Sequence, residues 1–127
     1  MSARLTLSVL PERYAVVQLP PNTPLPALAG AFWSVTWTPE EVSLVCEEAQ
    51  VPAGAQSAGG WVALKLHGPF EFTLTGILAA VLNPLRDAGV GIFALSTFNT
   101  DYVLVAADRL AEATGTLRAA GHTVLEA

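Results

Sequence analysis

The C-terminal half of the chain changes from one hydrophobic periodicity to another several times, and this order limits its fold more than any other feature. Residues 61–67 alternate apolar and other side chains with the two-residue period of a strand. After the breaker Gly68-Pro69, apolar residues recur with the 3.6-residue period of an amphipathic helix, and they are Leu74, Ile77, Leu78, Val81, Leu82 and Leu85. Thr73 is the expected N-cap of this helix, and Gly89 is its expected end.

Two more strands, a helix and a last strand complete the order. Residues 90–96 and 102–106 are predicted strands joined by a link short enough for a hairpin. A second helix is predicted to start after Asp108 and to end at Gly121, before a final strand over residues 122–126. The order strand, helix, strand, strand, helix, strand is that of the split βαβ, ferredoxin-like α+β fold. Because both helices pack on one face of such a sheet, we expect another part of the protein to bury the other face.

The N-terminal half has a less regular pattern. Its predicted strands are residues 5–10, 14–19, 32–38 and 42–47. Prolines dominate residues 20–26 and leave room for only one short helical turn near residues 25–29. Residues 32–46 can be laid against residues 92–106 without a gap, with both identities and similarities. Because any two hairpins share such alternation, this likeness leaves an internal duplication open.

We expect two units in tandem. A shortened N-terminal unit is predicted over residues 1–55, and a C-terminal domain over residues 61–127. Residues 50–60 are rich in alanine, glycine and serine, which is typical of a linker.

Composition excludes several classes of protein. The chain has 127 residues, of which 52% are hydrophobic and 13% charged, so it is not a disordered protein. Its net charge of −5 gives no basic surface for nucleic acid. With so few charges, a monomer leaves apolar surface exposed, which favours a homodimer.

The chain is expected to work in the cytoplasm and to need no metal or cofactor. Its single cysteine, Cys46, forms no internal disulfide, which suits a reducing compartment. Prolines interrupt the uncharged stretch 14–39, so no membrane-spanning helix is expected there. His67 and His122 are far from each other and from Cys46 in sequence, which makes a zinc site improbable.

No constellation of residues predicts catalysis, and we do not expect an enzyme. The sequence contains no Gly-x-Ser-x-Gly elbow, no phosphate-binding glycine loop and no Cys-x-x-Cys pair. A small ferredoxin-like phosphatase would need an arginine near the first strand–helix turn, and residues 67–71 contain none.

The candidate ligand site lies where the first helix starts and where the following hairpin turns. Gly76 near the helix start leaves backbone N–H groups accessible to an anion. In the hairpin, Asp101 can receive an ammonium group, and Thr97 and Asn99 can add neutral hydrogen bonds. Together these groups suit a zwitterion. The alternative stays open, because glycine also permits close helix packing and Asn and Asp are common in turns.

Several motifs of the C-terminal half resemble the ACT-domain family, in particular small bacterial tandem-ACT proteins related to the CASTOR arginine sensors. The motifs are Gly68-Pro69-Phe70, Leu74–Leu78, Pro84-Leu85, Gly91-Ile92 and Ser96–Val105. The resemblance implies a regulatory protein that senses a free amino acid at the interface between ACT units and passes the signal to a regulated protein partner. An interaction module that lacks a ligand site remains the alternative.

The resemblance also implies a set of ligand-binding residues. The helix start would contribute Phe72, Gly76 and Leu78, and the hairpin would contribute Thr97, Phe98 and Asp101. Ser34 and Thr36 would come from the partner unit. Leu74 stands where the arginine sensors have an acidic residue, so the amino acid is arginine or a smaller or more apolar one.

Overall fold

The computed structural model describes residues 4–71 and 75–126, which form two compact units. The described part of the C-terminal unit comprises residues 4–11, 62–71 and 75–126, and the N-terminal unit comprises residues 12–61. The strands are β1 (Thr6–Val9), β2 (Tyr14–Leu19), β3 (Ser34–Trp37), β4 (Val42–Glu47), β5 (Gln56–Leu66), β6 (Ile92–Ser96), β7 (Asp101–Ala106) and β8 (Thr123–Leu125). The α-helices are α1 (Ile77–Asp87) and α2 (Leu110–Ala119), and short 3-10 turns cover Glu48–Gln50 and Ala107–Arg109.

In the C-terminal unit, the predicted α+β order is confirmed and one strand is added to it. The order from β5 to β8 is strand, helix, strand, strand, helix, strand, and β7 pairs with both β5 and β6. β1 is antiparallel to β5, with Leu7 opposite Leu66, and parallel to β8, with Leu7 opposite Val124. The sequence prediction assigned residues 1–55 to the N-terminal unit, but these hydrogen bonds place β1 in the C-terminal unit.

The helices bury their apolar faces against one side of this sheet. The fully buried side chains of this core include Leu7, Val62, Leu64, Leu66, Val81, Leu85, Val103, Val105 and Leu117. Burial of each large aliphatic side chain contributes about 1.5–3 kcal/mol. Val81 and Leu85 belong to the helical stripe that the sequence predicts, and Ile77, Leu78 and Leu82 pack against the same core while partly buried.

Helix α1 starts later than its apolar pattern predicts. Ile77 is its first residue, and Gly76 is the N-cap, in a left-handed conformation with φ +79°. Glycine adopts this conformation without the clash that a Cβ would cause. Gly76 therefore stands just before the helix and not inside its first turn, while Thr73, the predicted cap, lies outside the described residues.

The N-terminal unit is built from β2, β3, β4 and the first part of β5. β4 is antiparallel to both β2 and β3. Ala15, Val17, Leu19, Val42, Leu44 and Cys46 form its buried core. Tyr14 and Phe32 contact each other edge to face, with their ring centroids 5.5 Å apart.

Two sequence expectations in this unit are wrong. Residues 56–60 are not a linker, because β5 begins at Gln56 and pairs with β2 there, with Ala58 opposite Val16. Strand pairing uses backbone N–H and C=O groups, so a segment rich in alanine, glycine and serine can still form a strand. The Glu48 carboxylate also accepts the Gly60 N–H at 2.6 Å, which helps to hold this segment in place. Residues 25–29 have no helical turn and run as irregular chain between β2 and β3.

Within the described ranges, no helix is both long and apolar enough to cross a membrane.

Candidate functional site

The β6–β7 hairpin is closed by a compact four-residue loop. Ser96 and Asp101 are the last pair of the ladder, so the loop consists of residues 97–100. The Thr97 N–H donates to the Thr100 carbonyl at 2.8 Å, and the Thr100 N–H donates to Thr97 Oγ1 at 3.3 Å. Ser96 Oγ donates to Asp101 Oδ1 at 2.5 Å. The carboxylate of Asp101 is therefore held by its cross-strand neighbour.

The loop is fastened to the chain that follows β5. The buried Thr100 hydroxyl donates to the Leu66 carbonyl at 2.6 Å, and the Phe70 N–H donates to the Asn99 carbonyl at 2.8 Å. A Cβ on Gly68 would lie 2.7 Å from the Asn99 carbonyl oxygen, so only glycine permits this approach. These contacts place residues 70 and 71 against the hairpin.

An open pocket of about 190 Å³ forms between these segments and the start of α1. It is called the hairpin pocket below, and its lining residues are Phe70, Glu71, Ile77, Ser96, Thr97, Phe98, Asn99, Thr100 and Asp101. Its described lining contains two carboxylates and no basic side chain. Carboxylates attract an ammonium group, whereas the N-terminus of α1 carries partial positive charge from its unpaired N–H groups. Both signs of charge thus meet in one pocket.

The structure brings three of the predicted site residues together in this pocket. Thr97, Phe98 and Asp101 line it, and Phe98 is 80% exposed at the hairpin turn. Gly76 lies beside the lining residue Ile77, and a Cβ on Gly76 would meet nothing within 4 Å, so space is open above the helix start.

Three other predicted site residues lie away from this pocket. Leu78 is partly buried and packs against the hydrophobic core of the C-terminal unit. Ser34 and Thr36 are on β3 of the N-terminal unit, where Ser34 is half-buried and Thr36 is exposed. Phe72 lies outside the described residues. A ligand-binding role for these four residues stays a prediction.

Glu71 is a pocket residue that sequence reasoning missed. It is exposed, lies in no helix or strand, and brings a second carboxylate to the hairpin pocket. Its place near Asp101 depends on the bond between Phe70 and Asn99, which no local pattern reveals. The only sequence feature that could have pointed to Glu71 is its position just after Gly68-Pro69, in the loop between a predicted strand and a predicted helix.

The histidines form hydrogen bonds away from this pocket. Buried His122 accepts the Leu5 N–H at Nδ1 at 3.0 Å, and its Nε2 lies 2.8 Å from the Ala80 carbonyl, so it connects the residue just before β1 to α1. The exposed His67 has its Nε2 2.5 Å from Ser8 Oγ.

Cys46 is buried in the core of the N-terminal unit. Burial raises the pKa of the Cys46 thiol, and the nearby negative charge of Glu47 raises it further. In the part of the chain that the structure describes, no three His, Cys, Asp or Glu side chains group together as a metal site.

Comparison with solved structures relates the chain to proteins of the same fold. It is 36% identical to protein Atu0741 from Agobacterium tumefaciens, with a TM-score of 0.93 and coverage of 99% of this chain and 96% of that one. The regulatory subunit of aspartate kinase from Thermus thermophilus has the same fold at 9% identity, with a TM-score of 0.64 and coverage of 91% and 97%.

Sequence comparison identifies the family. The human protein CASTOR3P is 31% identical over 87 residues, which are 58% of this chain and 53% of that protein, so the match spans about half the length of this curated relative. A family of N-terminal domains matches residues 12–54. The ACT-domain family matches residues 56–119, about half of the chain. On this match, and on the fold and hairpin described above, the chain belongs to the ACT-domain family.

Proposed function

We propose that this protein is a regulatory protein that binds a free amino acid in the hairpin pocket. The observation that carries the proposal is a pocket with two carboxylates at one hairpin, directly beside the start of a helix. Membership of a family of regulatory domains supports the same conclusion.

The α-ammonium group of the ligand binds to Asp101 in this proposal. Ser96 already orients that carboxylate, and the Thr97 side chain and Glu71 line the same space. Hydrogen bonds between ammonium and carboxylate are charge-assisted and roughly twice as strong as neutral ones.

The α-carboxylate of the ligand binds to the start of α1. The first N–H groups of a helix have no partner within the helix, and the open space at Gly76 lets a carboxylate approach them. Phe98, exposed at the hairpin turn, then covers the side chain of the ligand.

Regulation follows from a difference in affinity. A ligand changes the contacts of this protein with a regulated partner only if it binds one conformation more tightly than another. We propose that the protein acts in the cytoplasm as a homodimer, that its N-terminal unit is a shortened ACT unit, and that Ser34 and Thr36 contribute to ligand binding.

A thermal-shift screen against the twenty amino acids, followed by calorimetry on any that respond, tests the proposal. A ligand at one hundred times its Kd adds about 2.7 kcal/mol to the free energy of unfolding. Asp101→Asn keeps the shape of the side chain and removes its charge, so it should weaken binding at least tenfold. Asp108→Asn removes the same charge from an exposed residue of a 3-10 turn outside the pocket and should bind normally. A folded Asp101→Asn variant that binds as tightly as the parent would contradict the proposed site.

A second candidate function, an interaction module without a ligand site, is favoured by exposed aromatic side chains. Trp33, just before β3, is 45% exposed, and Trp37, the last residue of β3, is 52% exposed. A folded protein that responds to none of the amino acids, but loses a specific protein partner on Trp37→Ser, would favour this candidate over the first.

A further inference from the structure

A second pocket lies beside the same hairpin, on the face of the sheet without helices. It has a volume of about 230 Å³ and is lined by Lys65, Gly68, Pro69, Thr97, Asn99, Thr100 and Tyr102. Leu64 and Leu66 point into the helix-covered core, so strand alternation places Lys65 on the opposite face. Val103 also points into that core, so the same alternation places the neighbouring Tyr102 on the face that carries Lys65. We call this the lysine pocket.

Lys65 is the only lysine of the chain, and it has no acidic partner in the described structure. No described carboxylate lies within 4.0 Å of its ammonium group, and the same holds for the guanidinium groups of Arg4 and Arg13, whereas Arg86, Arg109 and Arg118 each pair with a carboxylate. The chain has eleven acidic residues against six basic ones, so acidic partners are plentiful elsewhere. An ammonium group without a carboxylate partner, at the wall of a concave polar pocket, is suited to bind an anion.

The neighbouring groups can add neutral hydrogen bonds to an anion. Asn99 lines the pocket and offers an amide N–H donor. Ser8 lies directly opposite Lys65 in the β1–β5 ladder and is hydrogen-bonded to His67 on the same face. The Thr97 hydroxyl donates to the Thr100 carbonyl within the turn, and the Thr100 hydroxyl donates to the Leu66 carbonyl of β5, so neither is needed for anion binding. No acidic side chain is among the described residues that line this pocket.

We propose that the lysine pocket is an oxyanion-binding site that takes the carboxylate or the phosphate group of a small molecule. The site is distinct from the hairpin pocket, although Thr97, Asn99 and Thr100 line both. The two carboxylates of the hairpin pocket repel an anion, and Lys65 attracts one. The hairpin loop therefore stands between the carboxylates that receive the ammonium group of the amino acid and a separate site for an anionic group.

An NMR titration of the full chain with inorganic phosphate, and separately with acetate, at constant ionic strength tests this proposal. We expect saturable shifts of the backbone amides of Lys65, Asn99 and Tyr102 with at least one of the two probes. The probe that saturates at the lower concentration identifies the preferred group. Shifts that match those of a chloride control, or that do not saturate with either probe, would overturn the proposal.

Single-residue variants show whether the anion binds at Lys65 or is attracted by positive charge anywhere on the protein. Lys65→Gln should weaken anion binding about tenfold or more, and Lys65→Arg should retain it. Arg86→Gln is the matched control, because it removes the same charge from an exposed position on α1 and should leave anion binding unchanged. Binding to Lys65→Gln as tight as to the parent would overturn the assignment.

The same variants keep this proposal distinguishable from the proposed amino-acid site. Lys65→Gln should bind the responding amino acid normally, and Asp101→Asn should bind the anion at least as tightly as the parent. Loss of amino-acid binding in Lys65→Gln would mean that the two pockets form one site, and the separate anion site would then be wrong.

Discussion

Ser96 Oγ donates a hydrogen bond to Asp101 Oδ1 at 2.5 Å, across the last pair of the β6–β7 ladder. This bond holds the carboxylate at the edge of the hairpin pocket before any ligand arrives. It also connects two residues that are neighbours only because the hairpin has a four-residue loop.

Ser96→Ala should free the Asp101 carboxylate without removing its charge. Because the bond is exposed, we expect a loss of about 1 kcal/mol in the free energy of unfolding. Amino-acid binding should weaken but persist, since the charge remains. Calorimetry and chemical denaturation measure both effects. Ser57→Ala, at an exposed position of β5, is the control, and an equal effect there would refute the role of this bond.

Thr100→Val should destabilise the C-terminal unit. The side chain keeps its shape but loses the buried hydroxyl that donates to the Leu66 carbonyl, which costs about 1–3 kcal/mol. Urea denaturation measures the loss. The same change at the exposed Thr123 of β8 should alter stability by less than about 0.5 kcal/mol. If both variants unfold at the same urea concentration as the parent, Thr100 does not fasten the hairpin.

Gly76→Ala should lower the free energy of unfolding by about 1–2 kcal/mol, because alanine is less stable than glycine in a left-handed backbone conformation. Gly76 has φ +79°, yet an added Cβ would meet nothing within 4 Å, so no clash contributes. Gly91→Ala is the matched control, because that position also has open space and lacks a positive φ. We expect Gly91→Ala to be neutral or to raise the melting temperature slightly. Thermal denaturation that ranks the two variants in the opposite order would contradict the left-handed cap.

Cys46 should make stability depend on pH in the alkaline range. Burial and Glu47 raise the pKa of its thiol in the folded state above the unfolded value. The unfolded chain therefore releases this proton first as pH rises, so the stabilisation is fully present below the ordinary thiol pKa of about 8.5 and is lost as pH rises from there through the higher pKa of the folded state.

Urea denaturation across the alkaline range, compared with Cys46→Ala, measures this dependence. The variant should be less stable at neutral pH, because it leaves a cavity, but its stability should fall less steeply with rising pH. Parallel slopes for the two proteins would show that Cys46 does not carry the effect.

Local patterns predicted much of the C-terminal unit. Alternation identified the strands around β6 and β7, and the 3.6-residue period placed Val81 and Leu85 in the core. The polar hairpin pointed to Thr97, Phe98 and Asp101, which line one pocket. These predictions succeed because the periods of strands and helices depend only on residues that are close together in the sequence.

Two features of the candidate site could not be predicted from local sequence patterns. Glu71 reaches the hairpin pocket through the bond between Phe70 and Asn99, which are 29 positions apart. The start of α1 at Ile77 depends on the left-handed Gly76, although the apolar stripe continues back to Leu74. A hydrophobic period shows which face of a helix is buried but not where its backbone hydrogen bonds begin.

The sequence by itself determined the order of strands and helices in the C-terminal half, the buried face of α1 and the polar character of the hairpin, because each depends on residues close together in the chain. Only the tertiary structure decided that β1 joins β5 and β8, that β5 extends back to Gln56, and that Glu71 and Asp101 share a pocket. The physical reason is that these features depend on backbone hydrogen bonds between distant segments. Such bonds use the N–H and C=O groups that almost every residue carries, so the side-chain pattern does not specify which segments they join.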